Sequence, residues 1–390
     1  MKGRKFVKNQ FKSGGIKDRS YLLKTKTFIC IFLFLMVCAK GIGLDSEDYV
    51  YYVLTAVAVP VWILHIMSIR WEKKQLLFSL FLFSVALLVT MTTKRTGIIL
   101  SVMAMIGVKD IDKDVIMRRI SKLWICCVCV KLALAYGGII EDKMVMQSGK
   151  VWHGMGYSSG NALHATVVIL IILYLYTRKD KVRWSEASFL FALSCVIYKY
   201  STSRSGFIMG SIAILLGCFL KVIARRKKMT KWLIRLLCMG MIAIVLLSFT
   251  VPLFYDGNYW GNNPAGILNR LLTGRIGHAH TVLTSDTVTL FGNSKNLSAF
   301  IDNAYVFLLM KYGIIMSAVI CIVYIVAIKS MVHRGDVYGV YITFLFVLYG
   351  YTEQFFINSF MNYSFIIVGN EIFNVVMKRE RMRGGSDKVC

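Results

Sequence analysis

Long runs of apolar residues, separated by short polar loops, follow one another along almost the whole chain. A helix needs about 20 apolar residues to cross the roughly 30 Å hydrocarbon core of a bilayer. The pattern therefore predicts twelve membrane-spanning helices, at 21–39, 49–69, 76–93, 96–108, 120–139, 160–177, 184–200, 206–224, 232–251, 302–328, 337–352 and 355–377. The short run at 96–108 favours a tilted or re-entrant piece, so eleven or thirteen spans are alternatives.

The composition supports an integral membrane protein. Of the 390 residues, 57% are hydrophobic and 17% are charged, and the mean hydropathy is +0.61. These values exclude an ordinary soluble domain. The expected fold class is all-α, a polytopic integral membrane protein with one transmembrane domain over residues 1–390. Its first apolar run has no small-residue cleavage site after it and is interpreted as a retained helix.

Basic residues predict the orientation. The net charge of +27 lies in short clusters between apolar runs, which favours topology signals over nucleic-acid binding. With the N-terminus inside, 35 of the 47 Lys and Arg residues lie on the inner side. Both tails, 1–20 and 378–390, are then cytoplasmic in a cell membrane. The same count places the large loop, residues 252–300, outside, and its spacing of apolar residues predicts short helices along the membrane surface.

Arginine is rare on the predicted outer side, where it opposes the topology rule. The four examples are Arg95, Arg204, Arg270 and Arg275. A charge within the bilayer costs about 2.5–3.5 kcal/mol on insertion scales, so these residues need anionic partners. The planar guanidinium suits a lipid phosphate, and the TSRSG turn around Arg204 adds the backbone N–H groups of a helix start. Ordinary phospholipid headgroups or loop carboxylates are the alternative partners.

Three residues are candidates for a general base: His278, His280 and Glu353. A neutral imidazole or a carboxylate removes a proton from a sugar hydroxyl. His278 and His280 also invite a metal interpretation, but the loop has no cysteine and no carboxylate cluster. Nine of the ten cysteines lie in apolar runs, and the DxD pattern in KDIDKD (109–114) has no soluble nucleotide-binding domain beside it. We therefore predict no metal and no cofactor.

Further polar candidates lie where predicted helices begin. Asp302, Asn303 and Tyr305 open a helix, and a capping role is the alternative for the first two. Asn161 is the last residue of the Gly- and Ser-rich stretch GMGYSSGN and is of a type that contacts sugars.

Taken together, the segments MGYSSGNALHA, YSTSRSGFI, ILNRLLTGRI, IDNAYVFLLMKYGI and GYTEQFFINSFMNY resemble a Wzy-type polysaccharide repeat-unit polymerase of the O-antigen ligase and polymerase superfamily. The resemblance implies glycosyl transfer between undecaprenyl-pyrophosphate-linked oligosaccharides, without metal, at the outer membrane face. It also implies that Arg204, Arg270 and Arg275 bind the donor pyrophosphate. Membrane lipids, a chain-length regulator and a flippase of the same pathway are the implied partners, and nucleic acid is not one.

Two other functions stay open. A lipid-linked oligosaccharide flippase or other transporter would also have about twelve helices, but it would bury charge near the bilayer midplane. Only Lys131 and Glu371 lie well within predicted spans, which favours an active site at the outer surface. A glycan ligase would transfer finished polymer to a different acceptor.

Overall fold

The computed structural model is a bundle of α-helices and describes residues 16–45, 47–147, 150–223, 226–358 and 360–383. Of the residues, 76% are in helices and 2% in strands. The helices are α1 (Ile16–Gly41), α2 (Tyr49–Met67), α3 (Lys73–Thr93), α4 (Gly97–Gly107), α5 (Lys113–Tyr136), α6 (Gly160–Arg178), α7 (Trp184–Ser201), α8 (Arg204–Ile223), α9 (Lys227–Leu253), α10 (Pro264–Leu271), α11 (Arg275–Ser285), α12 (Ala304–Arg334), α13 (Val337–Gly350) and α14 (Ser364–Arg383). The strands β1 (Met144–Gln147) and β2 (Lys150–His153) form an antiparallel hairpin.

Each of the twelve predicted apolar runs overlaps one of these helices, because a chain in lipid must pair its backbone groups within each segment. Within the described residues, six stretches are long and apolar enough to cross a membrane: Tyr49–Ser68, Lys73–Thr93, Gly160–Lys181, Arg204–Ile223, Lys228–Leu253 and Ala304–Arg334. Four further apolar helices are shorter, at Thr27–Gly41, Gly97–Gly107, Val337–Gly350 and Ser364–Val375. These features are those of a multi-pass helical membrane protein.

The predicted span at 302–328 is divided in two. Gly313 has φ 84° and ψ 173°, which breaks α12 after its first nine residues. The remaining 21 residues give a helix of roughly 31 Å, enough for one bilayer crossing. An irregular part of the large loop pairs with the backbone at the break, since the backbone N–H of Ile314 donates to Thr289 O at 3.0 Å and that of Ile315 to Leu290 O at 3.1 Å.

The predicted run at 355–377 also begins differently. A 3-10 turn covers Gln354–Ile357, and α14 starts only at Ser364. The side chain of Asn362 explains the irregular stretch: its amide donates to Phe356 O at 2.7 Å, and its oxygen accepts from the backbone N–H of Ser364 at 3.0 Å. At the chain ends, residues 1–15 of the predicted N-terminal tail and 384–390 of the C-terminal tail lie outside the described residues.

Helix α6 occupies the centre of the bundle, and 78% of its most apolar 18-residue stretch is buried. It packs against α5, α7, α8 and α13. The contact with α8 is close because Gly206 has no side chain: a Cβ atom there would lie 2.5 Å from Cγ of His164. His164 is fully buried and hydrogen-bonds Ser201 at 3.0 Å and Ser194 at 3.3 Å, which links α6 to α7. This packing positions the start of α8.

Candidate functional site

Four segments that are far apart in sequence meet at one end of the bundle. Arg275, the first residue of α11, contacts Asp302 before α12 through Nε at 3.0 Å and Glu353 after α13 through Nη2 at 3.0 Å. Its third nitrogen, Nη1, donates to the carbonyl of Thr352. Ser205 in the first turn of α8 donates to the same Glu353 oxygen at 3.2 Å. We call Ser205, Arg275, Asp302 and Glu353 the Arg275 cluster.

The short helices of the large loop place Arg275 in this cluster. Gly274 adopts φ 89° between α10 and α11, a left-handed conformation that suits glycine. Asn269 holds the two helices together: its oxygen accepts from the backbone N–H of Gly277 at 2.9 Å, and its amide donates to the hydroxyl of Tyr255 at 3.1 Å. Asn269 is 1% exposed. Sequence reasoning missed this residue, although an asparagine on the apolar side of a short helix is the signal that marks it.

Burial gives Glu353 the protonation behaviour of a base. Its side chain is 13% exposed, and its pKa is raised to about 7, mainly by burial; Arg275 opposes the rise and Asp302 adds to it. A base of this pKa is about half ionised at neutral pH. Burial likewise raises the pKa of Asp302, against the attraction of Arg275 and His278. One guanidinium therefore compensates two partly buried carboxyl groups.

Arg275 is occupied by the protein itself. Its side chain is 9% exposed, and Nε, Nη1 and Nη2 each donate to a protein oxygen. The predicted contact between Arg275 and a pyrophosphate would have to displace these acceptors. In this structure Arg275 instead holds Glu353 and Asp302 in place, and its attraction keeps their carboxylate forms accessible near neutral pH.

Arg204 lies at the same end of the bundle and is exposed. It is the first residue of α8 and precedes Ser205, which joins the Arg275 cluster. Within the described residues its side chain forms no ion pair or hydrogen bond. Backbone N–H groups at a helix start carry partial positive charge. Gly160 at the start of α6 lies close by, since a Cβ atom there would be 2.5 Å from Ser201 O, so half-buried Asn161 belongs to this region.

The other candidates in the large loop differ in solvent exposure and in hydrogen bonding. Arg270 is half-buried, and its Nη1 donates to the carbonyls of Tyr259 at 3.1 Å and Gly261 at 2.8 Å. His278 is exposed and close enough to lower the pKa of Asp302. The Nδ1 atom of His280 lies 2.8 Å from Pro252 O. A carbonyl only accepts, so Nδ1 carries the proton and His280 joins α11 to α9.

The remaining predicted site residues, Asn303, Tyr305 and Arg95, interact with other residues of the chain. Asn303 is 4% exposed and caps α12, accepting from the backbone N–H groups of Tyr305 at 3.0 Å and Val306 at 3.2 Å. The hydroxyl of Tyr305 donates to Val347 O at 2.6 Å inside the bundle. Arg95 is exposed after α3, and its guanidinium lies 5.7 Å from the ring centroid of Phe307.

No group of three or more His, Cys, Asp or Glu side chains within the described residues is arranged to hold a metal ion. Glu353 in the Arg275 cluster can accept a proton, and Arg204 and Arg270, which are not part of the cluster, keep guanidinium N–H groups that can attract an anion. Comparison of the chain with protein-family models, with curated proteins and with solved structures finds no match.

Proposed function

We propose that the protein polymerises oligosaccharide repeat units at the outer face of the cytoplasmic membrane. The donor is a glycan on a polyprenyl pyrophosphate, and the acceptor is a hydroxyl group on a second lipid-linked oligosaccharide. The single observation that carries this proposal is the Arg275 cluster, in which burial raises the pKa of Glu353 to about 7 and Ser205, the residue next to the exposed Arg204, donates to that carboxyl group.

Glu353 is the proposed general base. It takes the proton from the acceptor hydroxyl while that oxygen attacks the anomeric carbon of the donor. The bond between the anomeric carbon and the pyrophosphate oxygen breaks at the same centre, and the pyrophosphate leaves on its polyprenyl chain. Arg275 and Ser205 both hydrogen-bond Oε1 of Glu353. They orient the carboxylate, and Oε2 is left to receive the proton.

Arg204 and Arg270 are the proposed partners of the departing pyrophosphate. Arg204 is exposed at the start of α8 and has no anionic partner within the described residues. Arg270 uses Nη1 for two backbone carbonyls, which leaves Nη2 and Nε for a ligand. Charge that develops on a leaving group is stabilised by donors already in position. Asn161, in the region of the Arg204 turn, is the proposed contact for the sugar.

The proposed topology has twelve spans, with both termini in the cytoplasm and the large loop outside. Twelve helices overlap the twelve apolar runs, and the excess of Lys and Arg in alternate loops supports this orientation. The Arg275 cluster would then face outward, where lipid-linked repeat units are presented after they have been flipped.

The test uses purified protein in liposomes with a lipid-linked oligosaccharide, and it measures polymer length on gels. Arg204→Gln and Arg270→Gln are expected to lower the rate by about 100-fold or more, which is typical of removing one donor to a developing charge. Lys199→Gln is the matched control, because Lys199 is an exposed cation at the end of α7, five positions before Arg204. Long polymer at wild-type rates from both arginine variants would refute the pyrophosphate contact.

A transporter is the second candidate, and the buried cation Lys311 in α12 favours it. Charged side chains that face the interior of a membrane bundle often mark a substrate or ion pathway. Lys311, just before the break, is 2% exposed and donates to Lys295 O at 2.6 Å. Liposomes also separate the two functions: a transporter would move unpolymerised lipid-linked units across the bilayer, and a polymerase would lengthen the glycan on one side.

A further inference from the structure

A second group of basic residues lies at the ends of α9 and α12, away from the Arg275 cluster. Lys231 and Arg235 are exposed and one helical turn apart on α9, and His333 and Arg334 close α12. They line a groove of about 460 Å³ together with Ile234, Val332 and Gly335. We call this the α9–α12 groove. Its volume lies in the range that small ligands fill.

The acidic residues near the groove are already paired. Glu371 is fully buried and contacts both Arg334 and, at 2.8 Å, Lys113. Lys113 also pairs with Asp336. No carboxylate of the described residues pairs with Lys231 or Arg235. The α9–α12 groove therefore keeps two unbalanced positive charges, and Arg334 is held at its wall by the buried Glu371.

The position of the groove indicates a ligand from the bilayer. Trp232, beside Lys231, is 59% exposed, and tryptophan at a helix end marks the headgroup level of a membrane. Ile234 and Val332 give the groove apolar walls. Charge-based topology assigns this end of the bundle to the cytoplasmic side, where basic pockets between helices bind anionic headgroups.

From this geometry we infer that the α9–α12 groove binds the phosphate headgroup of an anionic phospholipid. Arg235 and Lys231 contact the phosphate from α9, and Arg334 and His333 contact it from α12. The acyl chains of the lipid lie along Ile234 and Val332. A headgroup bound in this way joins the ends of two helices that belong to distant parts of the sequence.

The test is native mass spectrometry of the detergent-purified full chain, titrated with phosphatidylglycerol or phosphatidylcholine. The wild-type protein is expected to bind phosphatidylglycerol at least about tenfold more tightly. Each cation near a membrane surface increases lipid affinity about fivefold. The affinity for phosphatidylglycerol should therefore fall about 30-fold in the double variant Lys231→Gln/Arg235→Gln and about fivefold in Arg235→Gln alone. The matched control is Arg118→Gln/Lys122→Gln, which removes an exposed pair of the same spacing from α5 outside the groove.

Three outcomes would overturn the inference. The first is wild-type affinity for phosphatidylglycerol in the Lys231→Gln/Arg235→Gln variant. The second is an equal loss in the α5 control, which would mean that surface charge in general attracts the lipid. The third is full displacement of phosphatidylglycerol by millimolar inorganic phosphate, which would assign the groove to a free anion. A loss confined to the groove variants supports the site, whatever reaction the Arg275 cluster performs.

Discussion

The pH dependence of the proposed glycosyl transfer is the most direct consequence of the Arg275 cluster. Because the pKa of Glu353 is raised to about 7, its ionised fraction increases about tenfold between pH 6 and pH 8. The rate should increase with pH, because a general base acts only when it is deprotonated. The rate is therefore expected to rise about tenfold over this interval and then to level off.

Two variants separate the base from its surroundings. Glu353→Gln removes the ionisable group, so the rate should fall by roughly 100- to 10,000-fold and lose its dependence on pH. Asp302→Asn removes a negative charge that raises the pKa of Glu353. The acidic limb of the pH profile should then move to lower pH, while the rate on the plateau stays near that of the wild-type protein. Glu353→Asp is the control that keeps a carboxylate at this position.

The assay measures initial rates in liposomes from about pH 5.5 to about pH 8.5, with the pH-dependence of substrate binding followed separately. Gel filtration and protein yield check that each variant folds. A Glu353→Gln protein that keeps the wild-type pH profile and a rate within about threefold of the wild-type value would refute the assignment of Glu353 as base. An unshifted acidic limb in Asp302→Asn would refute the electrostatic coupling between the two carboxyl groups.

Three further predictions concern packing and charge compensation. Gly206→Ala should destabilise the protein by about 1–3 kcal/mol, because the new Cβ meets His164, and thermal melting in detergent measures the loss. Gly313→Ala should destabilise the protein more than Gly206→Ala does, because φ is 84° at Gly313 and the new Cβ would lie 2.4 Å from Gly292 N. Increased proteolysis of the large loop measures this loss of stability. Arg275→Gln leaves two buried carboxyl groups uncompensated, so the melting temperature should fall steeply with rising pH and recover in part when Asp302→Asn is added. Equal melting temperatures in all variants would contradict these assignments.

Much of the helical architecture can be predicted from the sequence. Each of the twelve apolar runs overlaps a helix, and the large loop contains the two short helices that its spacing indicates. The exceptions have local causes: the positive φ of Gly313 breaks α12, and the hydrogen bonds of Asn362 delay the start of α14. Hydropathy averaged over a window does not detect either, because each depends on the conformation or the hydrogen bonds of a single residue.

The candidate site is less accessible to sequence reasoning. Arg204, Arg275, Asp302 and Glu353 stand out in the sequence because charge is rare beside apolar runs. Their pairing does not follow from that pattern. The structure gives Arg275 two carboxylate partners and leaves Arg204 exposed, although both arginines have the same type of sequence context.

By itself, the sequence determined that the chain is helical and suited to a membrane, since the bilayer requires apolar side chains and internally paired backbone in every span. Those requirements act within one segment at a time. The tertiary structure decided which helix ends meet, and so which of the charged residues neutralise one another. The pKa of Glu353 is raised to about 7 because the fold buries its carboxyl group; Arg275 and Ser205 oppose the rise, and Asp302 adds to it. Ion pairing and burial depend on distances in space, which a linear pattern of residues does not contain.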